Sequence, residues 1–355
     1  MPRVPVTCFW EITDGCNLRC IHCEADAGVC SPNELSTDEA LLLIDDLKVA
    51  GCQTVMLTGG EPLVRKDWPR LARKLADLNM NPTVITNGML VDEAMISRLI
   101  DAGVKALSVS LDGDREVHDA IRVQPGRSTV SSYERAIRAI ELSCKSSLKT
   151  AVITQFHKRN INDLPRMYEQ MIALGIDVWQ VQICMPLGRL LKLKHEYLID
   201  PLDIPLLTGT LAGFIKEGRL SIAVADNIGY YDEHEPVLRG SLRKHNAFWT
   251  GCAAGCRLVA VCADGEIKGC PSHPRSFAVG NIRQRSFTDI WKDKDLFAYN
   301  TNWNEDLLEG ECAKCSFRRI CRAGCTSMAF AVTGTIYDNP FCAQRVKKKN
   351  SEKTN

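Results

Sequence analysis

The chain has 355 residues, a length that suggests two domains and allows a core large enough for an enzyme. Its 44 Lys and Arg residues against 43 Asp and Glu leave a formal charge of +1, so no overall field of either sign marks a protein that binds nucleic acid or a membrane surface. No stretch reaches about 18 uncharged apolar residues, and Met1–Val6 has no room for a signal peptide, so we expect a cytoplasmic protein without a membrane span.

Between residues 8 and 182, apolar runs rich in β-branched residues alternate with amphipathic segments, which predicts six βα units around a parallel sheet. The predicted strands are 8–13, 53–57, 82–86, 106–111, 149–153 and 178–183. The predicted helices between them are 36–50, 68–78, 92–102, 130–143 and 162–174. Ser36 stands three residues before Glu39, as in a capping box, and Gly51 follows as a helix stop. We therefore expect an α/β fold, with a partial (β/α)6 TIM-like barrel over residues 1–183.

The alternation weakens after the sixth predicted strand. One further helix is predicted at 204–216 and one strand at 220–224, followed by a polar segment with two tyrosines at 226–236. We interpret residues 184–250 as a connector that bridges the barrel to a second domain.

Cysteines crowd the rest of the chain. Nine of the 17 cysteines lie between residues 252 and 342, and in a reducing compartment they indicate metal or redox chemistry rather than disulfides. Long apolar runs are rare there, so we expect a small domain at 251–345 whose core is organised by metal. We expect residues 346–355 to form a solvated basic tail.

Three cysteines, Cys16, Cys20 and Cys23, lie within eight residues after the first predicted strand. Three thiolates can hold three corners of a [4Fe-4S] cluster. Because such a cluster normally takes four cysteines, one iron would stay open to an exogenous ligand. An open metal position implies chemistry, as it does in zinc sites. The alternative is a zinc site completed by His22 or Cys30.

The second predicted strand leads into Gly59-Gly60-Glu61-Pro62. Glycine there lets the backbone approach a bound polar group, and the Glu61 carboxylate could bind an ammonium group. A Cys-x3-Cys-x2-Cys loop after strand one and Gly-Gly-Glu-Pro after strand two of a βα array resemble the radical SAM superfamily. The resemblance implies that S-adenosylmethionine chelates the open iron and that Gly59, Gly60 and Glu61 contact its amino group. Reductive cleavage would then give methionine and a 5′-deoxyadenosyl radical.

Polar residues also follow later predicted strands, at the edge where ligands bind in parallel α/β sheets. Asn87 and Ser110 are the best placed, and Arg122 and Gln180 are weaker candidates. The resemblance implies that such residues bind the ribose and carboxylate of S-adenosylmethionine. The alternative is ordinary turn chemistry at strand ends.

The C-terminal cysteines follow a regular pattern, Cys252-x12-Gly265-x4-Cys270, then Cys312-x2-Cys315-x5-Cys321-x3-Cys325, then Cys342. Spacing for spacing, this pattern resembles the seven-cysteine SPASM extension of radical SAM enzymes. The resemblance implies two auxiliary [4Fe-4S] clusters in addition to the catalytic one, three in all. The alternative is a pair of zinc ribbons built from the same thiols.

The resemblance also implies how these ligands divide between the two auxiliary clusters. The second would take Cys312, Cys315, Cys321 and Cys342. The first would take Cys252, Cys270 and Cys325, which leaves it one ligand short. Cys256 or Cys262 could complete it, with Cys256 preferred, or one corner stays open.

SPASM enzymes mostly modify ribosomally made peptides, and two auxiliary clusters favour net oxidation of the substrate. The resemblance therefore implies a radical SAM oxidoreductase that acts as a peptide maturase by crosslinking, decarboxylation or dehydrogenation. Its partners would be an external electron donor such as flavodoxin or ferredoxin. Because no recognition domain precedes the first predicted strand, any leader peptide would bind either the connector or a separate leader-peptide-binding protein.

Three alternatives to a peptide substrate stay open. Tetrapyrrole side-chain modification is the first, because 9–13, 20–23 and 280–291 also resemble enzymes of heme and heme d1 biosynthesis. Dehydrogenation of a sugar or aminocyclitol, a small-molecule substrate, is the second. A non-catalytic iron–sulfur redox sensor is the third.

The base that serves the substrate is not assigned by any motif, since Pro271 rather than an acid follows Cys270. The segment richest in suitable groups contains Asp226, Tyr230, Tyr231 and His234. The alternative interpretation of this segment is an exposed polar loop.

Overall fold

The computed structural model describes residues 4–126, 130–242, 247–293 and 295–354, with side chains to residue 349. In chain order, its strands β1 to β10 are Thr7–Glu11, Thr54–Thr58, Asn81–Thr86, Ala106–Ser110, Lys149–Phe156, Val178–Ile183, Ser221–Val224, Leu258–Val261, Glu266–Lys268 and Gly280–Asn281. Its helices α1 to α15 are Thr37–Val49, Trp68–Asp77, Glu93–Asp101, Arg115–Ile121, Ser132–Cys144, Leu164–Leu174, Lys194–Tyr197, Ile204–Glu217, Glu235–Gly240, Phe287–Lys292, Ala298–Thr301, Gly310–Ala313, Arg318–Cys321, Thr326–Thr333 and Ala343–Thr354. The predicted α/β class is confirmed.

The chain forms two compact units that are each discontinuous in sequence. The first unit comprises Met1–Ser110, His118–Thr150 and Ala253–Trp303, and the second comprises Leu111–Val117, Ala151–Cys252 and Asn304–Asn355. One change of unit, between Cys252 and Ala253, falls near the predicted boundary at 250, and none falls near 183. The predicted domain organisation stays a prediction.

In the first unit, the strands are ordered β10-β9-β8-β1-β2-β3-β4. Strands β8, β1, β2, β3 and β4 are parallel, whereas β9 and β10 complete the edge in antiparallel pairs. Strand β8 was missed by the sequence analysis because it is only four residues long and lies between cysteines. It pairs with β1 so that Cys8 lies opposite Val259, and this part of the cysteine-rich segment thus extends the sheet.

Helix α1 shows why these residues form the predicted elements. The Ser36 hydroxyl accepts from the Glu39 N–H, and the Glu39 carboxylate accepts from the Ser36 N–H, which confirms the predicted capping box. Its buried face contains Leu43 and Leu47. Helix α10 packs on α1, and its Phe287 N–H donates to Asp46 at 3.0 Å.

In the second unit, β5, β6 and β7 form parallel pairs. Trp179 on β6 is fully buried, and Tyr168 on α6 stacks on Phe214 of α8 with ring centroids 4.0 Å apart. These aromatic side chains bury large apolar surfaces in the second unit.

The described residues 346–354 of the predicted basic tail belong to helix α15, in which Lys348 and Lys349 are exposed, and a solvated tail stays a prediction. Ala343 and Val346 are buried on one face of this helix, which packs against α8. Arg345 binds both carboxylate oxygens of Asp338 at 2.9 and 3.0 Å. Lysines dominate this segment, so its short apolar face was overlooked in the sequence.

Within the described residues, no single helix has the length and hydropathy needed to cross a bilayer. One pair bent by 74°, Gly188–Tyr197 with Pro201–Glu217, meets the criterion on length and composition alone.

Candidate functional site

The three cysteines of the predicted catalytic site lie on one loop directly after β1. Cys20 is buried, and Cys16 and Cys23 are half-buried. Main-chain hydrogen bonds tie this loop to distant segments: the Cys16 N–H donates to the Gly28 carbonyl at 3.0 Å, and the Ile21 N–H donates to the Ile121 carbonyl at 2.8 Å. The loop is therefore anchored while it presents three thiols.

Donors surround the sulfur atoms of this loop. The Leu18 N–H donates to Cys16 Sγ at 3.4 Å, and the Arg122 guanidinium lies 4.0 Å from Cys20 Sγ. Burial nevertheless raises the pKa of Cys16 above its ordinary value. A thiolate in such a place needs a bound cation, and the donors suit a negatively charged sulfur, so the residues fit an iron–sulfur cluster.

The Gly-Gly-Glu turn after β2 lies directly against the start of the cysteine loop. The Gly60 N–H donates to the Thr13 carbonyl at 2.7 Å, and the Glu61 N–H donates to the Gly15 carbonyl at 2.8 Å. Gly59 has φ +137°, and a Cβ there would lie 2.3 Å from the Thr13 carbonyl oxygen. Two motifs far apart in sequence thus form one structural unit, and only glycine permits their approach.

The Glu61 side chain is directed into the protein rather than into an open pocket. Its carboxylate, 1% exposed, accepts from the Thr86 hydroxyl at 2.8 Å, the Asn87 N–H at 2.8 Å and the Leu63 N–H at 3.2 Å. Burial raises its pKa to about 7, against the lowering effect of these donors. The carboxylate joins the ends of β2 and β3, a role that the sequence did not reveal. Its contact with the amino group of S-adenosylmethionine remains a prediction.

Asn87 and Ser110 lie at the carboxyl ends of neighbouring parallel strands in the first unit, as predicted. The Asn87 side chain donates to Asn17 Oδ1 at 2.7 Å and lies 4.0 Å from Cys16 Sγ. Ser110 ends β4 and is buried. Asn87 thus links the end of β3 to the cysteine loop. Gln180 lies within β6 of the second unit, where it donates to Gln182.

The second unit brings together three thiols of one short segment, Cys312, Cys315 and Cys321, with Cys342 from a later segment. Burial raises the pKa of Cys321 well above its ordinary value, and the charges of the other three raise it further. Burial likewise raises the pKa of Cys312 to about 12 and that of Cys342 to about 11. Four thiolates this close repel one another unless they share a cation, so the set fits the predicted second auxiliary cluster.

The proposed ligands of the first auxiliary cluster are divided between the units. Cys256 and Cys270 belong to the first, and Cys252 and Cys325 belong to the second, so their assembly remains a prediction. Cys262 is 1% exposed, and burial together with the nearby Glu11 carboxylate raises its pKa far above the ordinary value. Cys256 is half-buried, and its choice over Cys262 as the fourth ligand remains a prediction.

The two tyrosines proposed as bases have structural partners instead. The Tyr230 hydroxyl accepts from the Cys325 N–H at 2.9 Å and donates to the Asp226 carbonyl. The Tyr231 hydroxyl donates to the Trp249 carbonyl. Burial raises the pKa of Tyr230 well above its ordinary value and that of Tyr231 to about 12, so neither phenol ionises near neutral pH.

The other two candidate bases, Asp226 and His234, are more accessible. The Asp226 side chain is 58% exposed, and His234 is partly exposed beside Glu233, with 3.6 Å between Nε2 and the carboxylate. Both fit the alternative interpretation of an exposed polar loop. None of the four candidate bases is therefore placed to act as a base at a cysteine site. The Tyr230 side chain does contact such a site, at the Cys325 N–H, but that contact is structural.

Glu235, which the sequence analysis did not select, organises this segment. Its fully buried carboxylate accepts from the Tyr230 N–H at 3.1 Å, the Trp249 N–H at 2.8 Å and Arg239 Nε at 3.2 Å. Tyr230 and Tyr231 both have positive φ, 79° and 59°, a conformation that these bonds hold in place. Glu235 could not be singled out from the sequence, because one acid among the polar residues 226–236 produces no periodic pattern.

We expect Tyr230→Phe to lower the free energy of unfolding by about 1–3 kcal/mol, because it leaves the buried Cys325 N–H without an acceptor. Tyr231→Phe, at a half-exposed site, serves as the matched control and should cost less. Chemical denaturation of the anaerobically reconstituted proteins measures both. Unchanged stability of Tyr230→Phe together with loss of product would instead identify this phenol as a catalytic group.

Comparisons with known proteins concern the sequence of the chain as a whole. The model of the Radical SAM superfamily matches residues 10–171, and that of the SPASM iron–sulfur cluster-binding domain matches 252–316. The chain is 31% identical to AdoMet-dependent heme synthase of Methanosarcina barkeri, over 98% of this chain and 99% of the relative. It is 30% identical to Fe-coproporphyrin III synthase of the same organism (94% and 86%) and 27% identical to PqqA peptide cyclase of Granulibacter bethesdensis (96% and 87%).

Among solved structures, anSMEcpe with bound AdoMet superposes with a TM-score of 0.75 at 18% identity, over 98% of this chain and 96% of that one. At this identity the likeness shows the fold, and it agrees with the arrangement of strands and helices described above.

Proposed function

Since this chain belongs to the radical SAM superfamily and carries a SPASM domain, we propose that it oxidises the side chains of an iron porphyrin in the synthesis of heme. The observation that carries the proposal is the 31% identity to a heme synthase over nearly the whole of both chains. Membership of the family gives the cofactors, which are S-adenosylmethionine, a [4Fe-4S] cluster and auxiliary iron–sulfur clusters. We assign the first cluster to Cys16, Cys20 and Cys23.

The proposed reaction follows from the difference between two porphyrins. Heme carries vinyl groups where coproporphyrin III carries propionates. To become a vinyl group, a propionate must lose one hydrogen atom, carbon dioxide and one electron. When bound, S-adenosylmethionine at the first cluster supplies a radical that takes the hydrogen atom, and the auxiliary clusters supply an acceptor for the electron.

Charge on the second unit supports a substrate with several carboxylates. The loops after β5 and β6 begin at the carboxyl ends of parallel strands, where ligands bind in such folds. These loops and the start of helix α7 carry the cations Lys158, Arg159, Arg189, Lys192 and Lys194. The Lys158 ammonium donates to the His195 carbonyl at 2.8 Å and so links the loop after β5 to helix α7, and Arg159 lies 3.6 Å from Glu196.

We expect Lys192→Glu to weaken binding of iron coproporphyrin III about tenfold at low salt, because reversing one charge removes an attraction and adds a repulsion. Lys216→Glu, an equal change at an exposed position of α8, is the matched control. The Soret absorbance reports binding, and the difference between the variants should shrink as salt is added. If the two variants weakened porphyrin binding equally, the loops would not be part of the porphyrin-binding site.

A ribosomal peptide is the second candidate substrate, supported by the 27% identity to PqqA peptide cyclase. An external electron donor serves either substrate, and a leader-binding partner belongs only to the peptide alternative. Incubation with each compound in parallel distinguishes them. A modified peptide beside an unchanged porphyrin would transfer the assignment to the peptide.

A further inference from the structure

A buried amide lies in the segment just before the last cysteine of the second unit. Asn339 is 1% exposed, and its Nδ2 has no hydrogen-bond partner among the described residues. Buried donors without a partner are rare in native proteins, because desolvation is not compensated. The position of this amide therefore calls for a physical explanation.

The contacts of Asn339 fix the direction of its side chain. The main-chain N–H donates to Cys312 Sγ at 3.5 Å, and Oδ1 accepts from the Phe341 N–H at 3.0 Å. With Oδ1 engaged, the Nδ2 end is turned toward Gly324, where a Cβ would lie 3.0 Å from Nδ2. The Gly324 N–H in turn donates to the Cys321 carbonyl at 3.1 Å.

Asn339 thus lies beside the four-thiol set assigned to the second auxiliary cluster. Its backbone contacts Cys312, its Nδ2 faces the turn that carries Cys321, and Cys342 follows three residues later in the chain. An N–H donor in this position suits an acceptor that bears negative charge, and the sulfurs of a four-thiolate cluster are such acceptors.

We propose that Asn339 Nδ2 donates a hydrogen bond to a sulfur atom of the second auxiliary cluster and raises the reduction potential of that cluster. A hydrogen bond to sulfur stabilises the more negative, reduced state, so it makes the cluster a better electron acceptor. Asn339 is a positioning residue in this account, since it acts on the reaction only through the cluster. The inference rests on the four-cysteine assignment and holds for a porphyrin or a peptide substrate alike.

Two substitutions separate the hydrogen bond from other effects. Asn339→Asp keeps an oxygen for the Phe341 N–H but removes the amide donor, and Asn339→Ala removes the donor without adding charge. Thr333→Val, an exposed position on the adjacent helix α14, is the control. All three are made in a chain whose Cys16, Cys20 and Cys23 are replaced by Ala, so that only auxiliary clusters remain.

Redox titration followed by electron paramagnetic resonance measures the midpoint potentials, and iron content is measured on the same samples. We expect both Asn339 variants to shift one of the two auxiliary signals to lower potential with iron retained, and Thr333→Val to shift neither. Unchanged potentials with full iron would overturn the proposal. A shift in Asn339→Asp alone would also overturn it, because charge would then be the cause.

A measurement without substitution of Asn339 covers the case in which the variants lose the cluster. In the same background, asparagine labelled with ¹⁵N in its side-chain amide is incorporated, and pulsed electron paramagnetic resonance is recorded on the reduced protein. We expect hyperfine coupling from one ¹⁵N nucleus to an auxiliary cluster. The absence of such coupling would refute the hydrogen bond.

Discussion

Replacing Cys16, Cys20 and Cys23 together by Ala should abolish formation of 5′-deoxyadenosine and remove about four of about 12 iron atoms per chain. The three thiols share one anchored loop, and the Gly-Gly-Glu turn lies directly against it. No other thiol set in the first unit adjoins that turn among the described residues. Anaerobic reconstitution, iron analysis and chromatography of 5′-deoxyadenosine measure the effect.

Cys30→Ala is the matched control for the triple variant, because Cys30 is exposed and its Sγ lies 3.8 Å from the Thr13 hydroxyl of the same loop. We expect it to keep both the iron and the cleavage activity. Circular dichroism establishes that each variant is folded. Cleavage retained by the triple variant would place the catalytic iron elsewhere, and loss of the metal in Cys30→Ala would favour the zinc alternative.

Gly60→Ala should reduce the rate of S-adenosylmethionine cleavage about 100-fold, as expected when a reacting group is displaced by about 1 Å. A Cβ at Gly60 would lie 2.2 Å from the Gly15 carbonyl oxygen, so the turn must move away from the cysteine loop. The initial rate of 5′-deoxyadenosine formation, normalised to iron content, measures this change.

Gly213→Ala provides the comparison for that substitution, because its Cβ would meet nothing within 4 Å on helix α8. There we expect an unchanged rate and a gain in stability of about 0.5–1 kcal/mol, since alanine loses less conformational entropy in a helix. A wild-type rate in Gly60→Ala would show that the approach of the two motifs is not needed for cleavage.

Local patterns were sufficient to predict much of the fold. Strands β1 to β7 and helices α1, α2, α3, α5, α6 and α8 lie within a few residues of their predicted positions, because each has an apolar period and a turn or cap at its ends. Strand β8 and the short helix α4 have neither, and β8 is formed by its pairing with β1. Pairing between residues so distant in sequence leaves no local signal.

For the candidate site, the sequence predicts which residues take part but not where their side chains point. Spacing together with the family resemblance predicts the cysteine ligands, because a metal cluster demands several thiols in a fixed arrangement. The inward direction of the Glu61 carboxylate could not be predicted, since it depends on donors from the end of β3. Glu235 and Asn339 were missed for a related reason, because their roles come from buried contacts rather than from a motif.

The central claim is most directly tested by incubating the reconstituted protein anaerobically with S-adenosylmethionine, a reductant and iron coproporphyrin III. The account predicts that 5′-deoxyadenosine and new vinyl groups form in equal amounts, with the porphyrin losing one carboxyl group for each. Mass spectrometry measures both products in one sample. Formation of 5′-deoxyadenosine beside an unchanged porphyrin would contradict the proposed substrate, and the absence of 5′-deoxyadenosine would contradict the proposed chemistry.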